Sequence, residues 1–150
     1  MTGERLGLYT KAMQAIILDF YGVIFDPNTR SPMVGLVDFL QLTKQKNIPC
    51  AIASSSDSRS IQDYLAEHHL TEYFQVVIGG DKVMALKPNP ECYVSAAEYF
   101  QLKPADCVVI DDTLAPLENA KQLGFQTIQF VYPENEFSTI IKTLWVSHSA

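Results

Sequence analysis

The stretch AIILDFYGVIFDP, residues 15–27, begins as a wholly apolar run and ends in a turn-forming Asp-Pro pair. Short apolar runs of this kind are typical of strands that are buried on both faces of a parallel sheet. A single carboxylate, Asp19, closes the run, and Tyr21 follows two positions later. The stretch therefore predicts a central strand that delivers one acidic side chain to the carboxyl edge of a sheet.

Strand-like and helix-like segments alternate along the rest of the chain. Predicted strands cover 14–19, 48–54, 75–80, 106–112 and 125–131, and predicted helices cover 32–47, 57–70, 88–102, 113–124 and 134–147. This alternation predicts a three-layer α/β fold, a doubly wound parallel sheet with helices on both faces. With the first strand in the centre, we expect the strand order 3-2-1-4-5. We also expect one domain over residues 1–150, with its core at 14–131.

Composition and charge narrow the class of protein. The 150 residues are 47% apolar, which is enough for a core, and the net charge of −6 argues against nucleic-acid binding. No apolar run is long enough to span a membrane, and the N-terminal segment lacks the features of a signal peptide. Cys50, Cys92 and Cys107 form no CxxC motif. They fit buried structural cysteines in a reducing, cytoplasmic setting.

Polar side chains stand where the predicted strands end. Asp19 ends the first strand, Ser54 ends the second, Lys87 follows the third, and Asp111 and Asp112 end the fourth. In doubly wound sheets, ligands bind beyond the carboxyl ends of the strands, where the strand order reverses. Any one of these residues could simply cap a helix or turn. Four such positions on successive strand ends instead favour a shared site.

Carboxylates, a hydroxyl group and a lysine together suit phosphoryl transfer. Carboxylate oxygens bind Mg²⁺, and Mg²⁺ with a lysine neutralises a phosphoryl group. A serine hydroxyl and the N–H groups of a tight turn can hold its oxygens. The chain contains no Walker-type loop and no GxGxxG motif, so nucleotide binding is not supported. Asp19 then becomes the natural nucleophile, which would form an aspartyl-phosphate.

The order of these residues resembles the haloacid dehalogenase-like hydrolase superfamily. The segments similar to its four motifs are LDFYGVIFD, IASSS, LKPNPECY and VVIDDTLAPLENAKQLGF, and the resemblance spans residues 15 to 130. It implies that Asp19 is the nucleophile, that Ser54 binds phosphate, and that Lys87 holds both. It also implies that Asp111 and Asp112 surround Mg²⁺. Most members are phosphatases, and some are dehalogenases, phosphonatases or mutases.

Tyr21 is the first departure from the family pattern, because phosphatases of the family usually carry a second aspartate there. That aspartate protonates the leaving alcohol and activates water, which is worth roughly 10²–10⁴-fold in rate. Tyr21 can still offer its backbone carbonyl to Mg²⁺, and we expect Tyr21, Gly22 and Ser55 to border the substrate. The Asp-x-Tyr-Gly pattern resembles the haloacid dehalogenases themselves, whose halide leaving group needs no proton.

The missing cap is the second departure. Between Gly22 and Ser54, and between Ser54 and Lys87, the chain has no room for a cap domain. Capless members act on large substrates or borrow cover from a partner subunit. The substrate could therefore be a small phosphorylated molecule or a phosphorylated macromolecule. Whether the chain forms a homodimer is also left open. The retained Asp111 and Asp112 favour a Mg²⁺-dependent phosphohydrolase over a dehalogenase. A catalytically impaired regulator that binds phosphate or Mg²⁺ is the other alternative.

Two arginines are further candidates for contact with an anionic substrate. Arg30 lies in the predicted flap FDPNTR, residues 25–30, and Arg59 begins the helix after Ser54. For both, a solvated surface position is the simpler expectation. A phospho-receiver domain uses similar residues, but its acid pair would follow the first strand and its lysine would come last.

Overall fold

A computed structural model describes residues 13–146 and contains a central sheet of five strands. The strands are β1 (Ala15–Leu18), β2 (Cys50–Ala53), β3 (Val76–Ile78), β4 (Cys107–Asp111) and β5 (Gln126–Gln129). They lie in the order β3-β2-β1-β4-β5, and every neighbouring pair is parallel. The predicted strand order is confirmed, and the order reverses between β1 and β4.

Helices cover both faces of this sheet. They are α1 (Leu36–Gln45), α2 (Ser58–Glu67), α3 (Glu91–Tyr99), α4 (Leu114–Gln122) and α5 (Phe137–Ile141). Apolar side chains of α1, α2 and α5 form one buried cluster, and those of α3 and α4 form a second. In β1, Ile16 and Leu18 belong to the first cluster and Ala15 and Ile17 to the second. Both faces of β1 are therefore buried, as its apolar sequence predicts, and the three-layer fold is confirmed.

Local sequence explains where several helices begin and end. Asp57 caps α2, because its side chain accepts a hydrogen bond from the Ser60 amide at 3.0 Å. Gly124 follows the end of α4 with a φ of +104°, a left-handed conformation that glycine adopts readily. Asn89 accepts a hydrogen bond from the Glu91 amide at 2.9 Å and so helps to start α3.

All five helices are shorter than the sequence pattern predicts, as the start of α1 and the end of α5 illustrate. Helix α1 begins at Leu36 and not at 32, because Pro32 bridges to Phe25 and Gly35 has a left-handed φ of 83°. Helix α5 ends at Ile141, and the chain continues as a wider π-type turn to residue 146. The predicted helix end at 147 lies outside the described residues. Residues 1–12, which belong to the N-terminal segment predicted to lack a signal peptide, also lie outside them.

The carboxyl edge of the sheet carries no inserted domain. Between Gly22 and Ser54 the structure contains a loop, α1 and β2, and between Ser54 and Lys87 it contains α2, β3 and two short 3-10 turns. Both segments are fully described, and the predicted absence of a cap is confirmed within them. The residues at the ends of β1, β2 and β4 consequently face an open edge of the sheet.

Buried cysteines and the last helix belong to the core. Cys50, Cys92 and Cys107 are free and buried, and burial raises the pKa of their thiols to about 12, 11 and 12. They are therefore protonated at neutral pH, as expected for structural cysteines. Phe137 and Ile140 of α5 are buried in the cluster that also contains side chains of α1 and α2, so these two residues pack inward. No helix within residues 13–146 is long and apolar enough to cross a membrane.

Candidate active site

Polar residues from four segments meet at the carboxyl edge of the sheet. Asp19 directly follows β1, Ser54 follows β2, Asp111 ends β4, and Asp112 is next in the chain. With Lys87, which reaches this edge from the segment between β3 and α3, they line a cleft of about 380 Å³. The structure thus brings together the residues on which the sequence prediction depended, while their chemical roles stay a prediction.

Lys87 joins two carboxylates that stand at the ends of neighbouring strands. Its Nζ lies 2.8 Å from Asp19 Oδ1 and 2.6 Å from Asp111 Oδ2. Only 12% of the Lys87 side chain and 1% of the Asp111 side chain are exposed, so water screens these charges poorly. Tyr93 donates its hydroxyl to the same oxygen of Asp111, and the Lys87 ammonium lies 5.2 Å from the centre of the Tyr93 ring. These contacts fix the position of the lysine.

Burial alters the protonation of the charged groups. It raises the pKa of Asp19 to about 8, even though the Lys87 ammonium opposes the shift. Burial also raises the pKa of Asp112. For Lys87, burial acts to lower the pKa, but the carboxylates of Asp19 and Asp111 together outweigh it, and the pKa is raised. The site thus contains more acidic groups than one lysine can balance, and it would stabilise a further cation.

Three carboxylates lie close enough to share a metal ion. One oxygen from each of Asp19, Asp111 and Asp112 lies within 4.8 Å of the other two. Both oxygens of Asp111 are already engaged, one by the lysine and tyrosine described above and the other by the Thr113 amide at 3.0 Å. Asp112 has one oxygen that accepts from the Thr113 hydroxyl at 3.2 Å. Oxygen donors of this kind suit Mg²⁺, and Asp19 and Asp112 are better placed as direct ligands than Asp111.

Tyr21 lies at the mouth of the cleft. Its ring packs on Phe25 with the ring centroids 5.5 Å apart, and 56% of the residue is exposed. Within residues 13–146, neither its hydroxyl nor its backbone carbonyl takes part in a hydrogen bond. The carbonyl is therefore unoccupied by protein donors, which is consistent with its predicted role as a metal ligand.

Gly22 lets the first turn approach Asp112 closely. Its φ is +83°, and a Cβ atom at this position would collide with Asp112 Oδ2. Gly22 borders a smaller neighbouring cavity of about 180 Å³ rather than the cleft itself. Its predicted contact with substrate stays a prediction, whereas its contact with the Asp112 carboxylate is a feature of the structure.

We expect Gly22→Ala to weaken Mg²⁺ binding, whereas Gly35→Ala does not. Both glycines have φ near +83°, so both variants should carry a similar backbone strain of roughly 1–3 kcal/mol. At Gly35 the added Cβ would meet Phe137 Cβ at 3.3 Å, far from the carboxylates, whereas at Gly22 it would displace Asp112. Thermal unfolding and calorimetric Mg²⁺ titration of both variants test this expectation. Equal Mg²⁺ affinities in the two variants would contradict it.

Three serines form the turn between β2 and α2. Ser54, Ser55 and Ser56 all line the cleft, and Ser54 Oγ accepts a hydrogen bond from the Ser56 amide at 3.0 Å. This contact fixes the turn and leaves the Ser54 hydroxyl proton to donate to a ligand. Gly80 packs against the same turn, where a Cβ would collide with the Ser55 carbonyl. Gly80, which follows β3, thus allows the chain after this strand to pack closely against the serines.

Two residues of the site are not evident from the sequence pattern. Tyr93 is fully buried in α3 and holds Asp111, and Thr113 contacts both Asp111 and Asp112. For Tyr93 the available signal was its place on the predicted helix that follows Lys87, because a tyrosine hydroxyl that is buried usually has a hydrogen-bond partner. For Thr113 the signal was its place directly after the acid pair.

The fold and the site together define an α/β protein whose polar groups stand at the strand ends of a doubly wound sheet. A family model described as haloacid dehalogenase-like hydrolase matches residues 2–124. The chain belongs to this family of hydrolases, and the resemblance seen in the sequence motifs is confirmed.

Curated relatives of the chain carry phosphatase names. A phosphorylated carbohydrates phosphatase from Thermotoga maritima is 34% identical over 94 residues, which are 63% of this chain and 44% of the relative. A phosphoglycolate phosphatase from Rhodobacter capsulatus is 29% identical over 133 residues, which are 89% of this chain and 58% of the relative. The chain therefore spans about half the length of these relatives.

Solved structures share the fold. A HAD-superfamily hydrolase of subfamily IA from Geobacter sulfurreducens has a TM-score of 0.78 at 16% identity, covering 89% of this chain and 97% of that chain. A mutant of CbbY from Rhodobacter sphaeroides, solved in complex with xylulose-(1,5)bisphosphate, has a TM-score of 0.60 at 26% identity. That match covers 71% of this chain and 50% of the CbbY chain. Both likenesses agree with the sheet order and the layers described above.

Proposed function

We propose that the chain is a Mg²⁺-dependent phosphohydrolase that acts through an aspartyl-phosphate on Asp19. One observation carries the proposal: Asp19 lies at a cleft, 2.8 Å from the Lys87 ammonium and within 4.8 Å of two further carboxylates. A carboxylate beside a fixed cation and a cluster of oxygen donors is suited to attack on a phosphoryl group. The phosphatase names of the curated relatives support this chemistry.

The side chains of the cleft would have distinct roles in this reaction. Asp19 would supply the attacking oxygen, and Lys87 would neutralise charge on Asp19 and on the phosphoryl oxygens. Ser54 and Ser55 would donate hydrogen bonds to those oxygens. Asp111 would act through Lys87, because it holds the ammonium at 2.6 Å and is itself held by neighbouring donors.

The donor set fits Mg²⁺. Asp19, Asp112 and the backbone carbonyl of Tyr21 would hold the ion, with Asp111 next to them in the carboxylate cluster. When bound, Mg²⁺ would stabilise negative charge that develops on the transferring phosphoryl group. All of these donors are oxygens, and Mg²⁺ prefers oxygen ligands while it keeps several of its waters.

Removal of Mg²⁺ should reduce hydrolysis of 4-nitrophenyl phosphate by about 10²-fold or more, since metal stabilisation of a phosphoryl group is worth several kcal/mol. The measurement compares protein dialysed against EDTA with the same sample after Mg²⁺ is restored. Thermal unfolding of the EDTA-treated sample confirms that the fold is intact. Undiminished hydrolysis in EDTA would contradict the proposal.

Tyr21 gives two other functions a specific basis. Without an acid at this position, the site could bind phosphate and Mg²⁺ as a regulator without turnover. The Asp-x-Tyr-Gly pattern also allows a haloacid dehalogenase, although the cluster of three carboxylates argues against a metal-independent reaction. Phosphate and Mg²⁺ binding with no turnover of aryl or acyl phosphates would support the regulator. Metal-independent halide release from 2-haloacids would support the dehalogenase.

We further propose a small phosphorylated substrate and a single-domain core at residues 14–131, closed by α5. The names of the curated relatives support the first proposal. The second is supported by the two buried clusters, which share one sheet and include side chains of α5. A macromolecular substrate, a homodimer and a cytoplasmic location stay predictions of the sequence.

A further inference from the structure

We propose that the cleft selects phosphomonoesters of uncharged aromatic alcohols, from which a phenolate departs without a proton from the protein. The inference rests on the proposed hydrolysis at Asp19 and names the class of ester on which that site acts. Two independent features carry it. The first is the set of acids and bases that line the cleft, and the second is the apolar, cation-poor character of its wall.

Within the described chain, the titratable side chains that line the cleft are Asp19, Tyr21, Lys87, Asp111 and Asp112. Asp19 is the proposed nucleophile, and Lys87 is bound to it and to Asp111. Asp112 accepts from Thr113 and belongs to the carboxylate cluster. In this part of the chain no histidine, glutamate or cysteine lines the cleft. No carboxylic acid is therefore left to protonate a departing oxygen.

The absence of a free carboxylic acid affects one class of ester far more than another. An alkyl alcohol has a pKa of roughly 16, close to that of water, whereas a phenol has a pKa of about 10. An alkoxide therefore needs a proton as its bond to phosphorus breaks, and a general acid supplies roughly 10²–10⁴-fold in rate. A phenolate can leave unprotonated, so this cleft disfavours alkyl esters selectively.

Apolar groups form much of the wall of the cleft. The apolar and aromatic residues of the wall are Tyr21, Pro88, Ala115 and Pro116. Next to cleft residues in the chain, Leu86 and Leu114 are 54% and 53% exposed, although both are large apolar residues. They directly precede Lys87 and follow Thr113 in the chain. Exposed apolar surface of this kind beside a polar site suits contact with an aromatic ring.

The cleft offers no cation to a second anionic group. Lys87 is the one lysine, arginine or histidine that lines it within residues 13–146, and its ammonium is already shared by two carboxylates. Arg30 instead lies over the Phe25 ring, 5.9 Å from its centre. Arg59 is exposed and lies 3.9 Å from Asp63. A carboxylate or second phosphate on the substrate would thus find no unpaired side-chain cation among the residues that line the cleft.

The proposed reaction balances without a general acid. An oxygen of the Asp19 carboxylate forms a bond to phosphorus, the bond to the phenolic oxygen breaks, and its electron pair leaves with the phenolate. Water then attacks the phosphorus, and the bond between phosphorus and the Asp19 oxygen breaks to regenerate the carboxylate. One proton of that water stays on the phosphate as its new P–OH group, the other passes to solvent, and the phenolate is protonated by solvent.

The test compares kcat/KM for phenyl phosphate, 2-phenylethyl phosphate and 2-phosphoglycolate, in the presence of Mg²⁺. The first two esters carry the same ring and differ in the acidity of the leaving alcohol. Because aryl esters are intrinsically more reactive, each ratio is read against the Tyr21→Asp variant, which restores an acid. Tyr21 is largely exposed, so the fold should accept this change, and Tyr21→Glu offers the same group if it does not.

We expect the preference for phenyl over 2-phenylethyl phosphate to be at least about 10²-fold larger in the wild type than in Tyr21→Asp, because the new acid mainly accelerates the alkyl ester. We also expect 2-phosphoglycolate to be a poorer substrate than phenyl phosphate. An equal preference in both proteins, or a wild-type preference for 2-phosphoglycolate, would overturn this inference and leave the proposed hydrolysis at Asp19 intact. If the wild type hydrolyses none of the esters, the proposed function itself fails with it.

Discussion

Asp19→Asn should reduce kcat for 4-nitrophenyl phosphate by roughly 10⁴-fold or more, which corresponds to about 5 kcal/mol of activation barrier. The neutral amide cannot supply the attacking oxygen that the proposed aspartyl-phosphate requires. Asparagine has nearly the same size, and burial already raises the pKa of Asp19 to about 8. The substitution therefore leaves no cavity and replaces a carboxyl whose charged form burial already disfavours, so the melting temperature should not fall.

Asp63→Asn is the matched control for this prediction. The same chemical change there affects a side chain of α2 that is 74% exposed and lies 3.9 Å from Arg59, outside the cleft. Phosphate release by the wild type and both variants is measured with Mg²⁺ present. Retained turnover in Asp19→Asn, or an equal loss in both variants, would show that Asp19 is not the nucleophile.

Lys87→Met should remove activity and also destabilise the fold by about 3–5 kcal/mol at neutral pH. Asp19 and Asp111 are both buried, and each would lose the ammonium that lies within 2.8 Å of it. A loss of this size corresponds to a fall of roughly 10 °C in melting temperature. Methionine keeps the length of the side chain, so lost packing contributes little to the effect.

The destabilisation should grow as pH rises. Lys87 lowers the pKa of Asp19, so its removal should raise a pKa that already lies at about 8. A carboxyl with a raised folded pKa lowers stability as pH rises from its unfolded pKa of about 4 to its folded pKa. Wild type and Lys87→Met share this loss up to about pH 8, so the difference between their melting temperatures should be larger at pH 9 than at pH 7. Lys82→Met is the matched control, because Lys82 is exposed and outside the cleft. Similar melting temperatures in the two variants would contradict a structural role for the ion pairs.

The fold follows from the sequence because its strongest local signals agree with one another. The run AIIL is apolar at every position, and in the structure its four residues alternate between the two buried clusters. The alternation of strands and helices then leaves few possible arrangements. The ends of α1 and α5 were less predictable. Tertiary contacts such as the bridge between Phe25 and Pro32 determine where these helices begin and end. The periodicity of apolar residues in the sequence does not reveal such contacts.

The site follows from the sequence only in part. That Asp19, Lys87 and Asp111 would meet could be predicted, because strand ends share one edge of a parallel sheet. That Asp111 is engaged by Lys87, Tyr93 and Thr113 could not, since these contacts depend on side-chain directions across three segments. The same contacts distinguish Asp111 from its neighbour in the acid pair, a distinction that adjacent identical residues cannot show in sequence.

An acid quench of the wild type during hydrolysis of 4-nitrophenyl phosphate with Mg²⁺ tests the role of Asp19 most directly. Every carboxylate that lines the cleft in the described chain already has a proposed role as nucleophile, lysine partner or metal ligand. None is left to activate water for the second step, so the aspartyl-phosphate should accumulate. We predict a burst of about one nitrophenolate per chain and a phosphoryl group on the peptide that contains Asp19. Steady turnover with no burst and no phosphoryl group on that peptide would contradict the proposed mechanism.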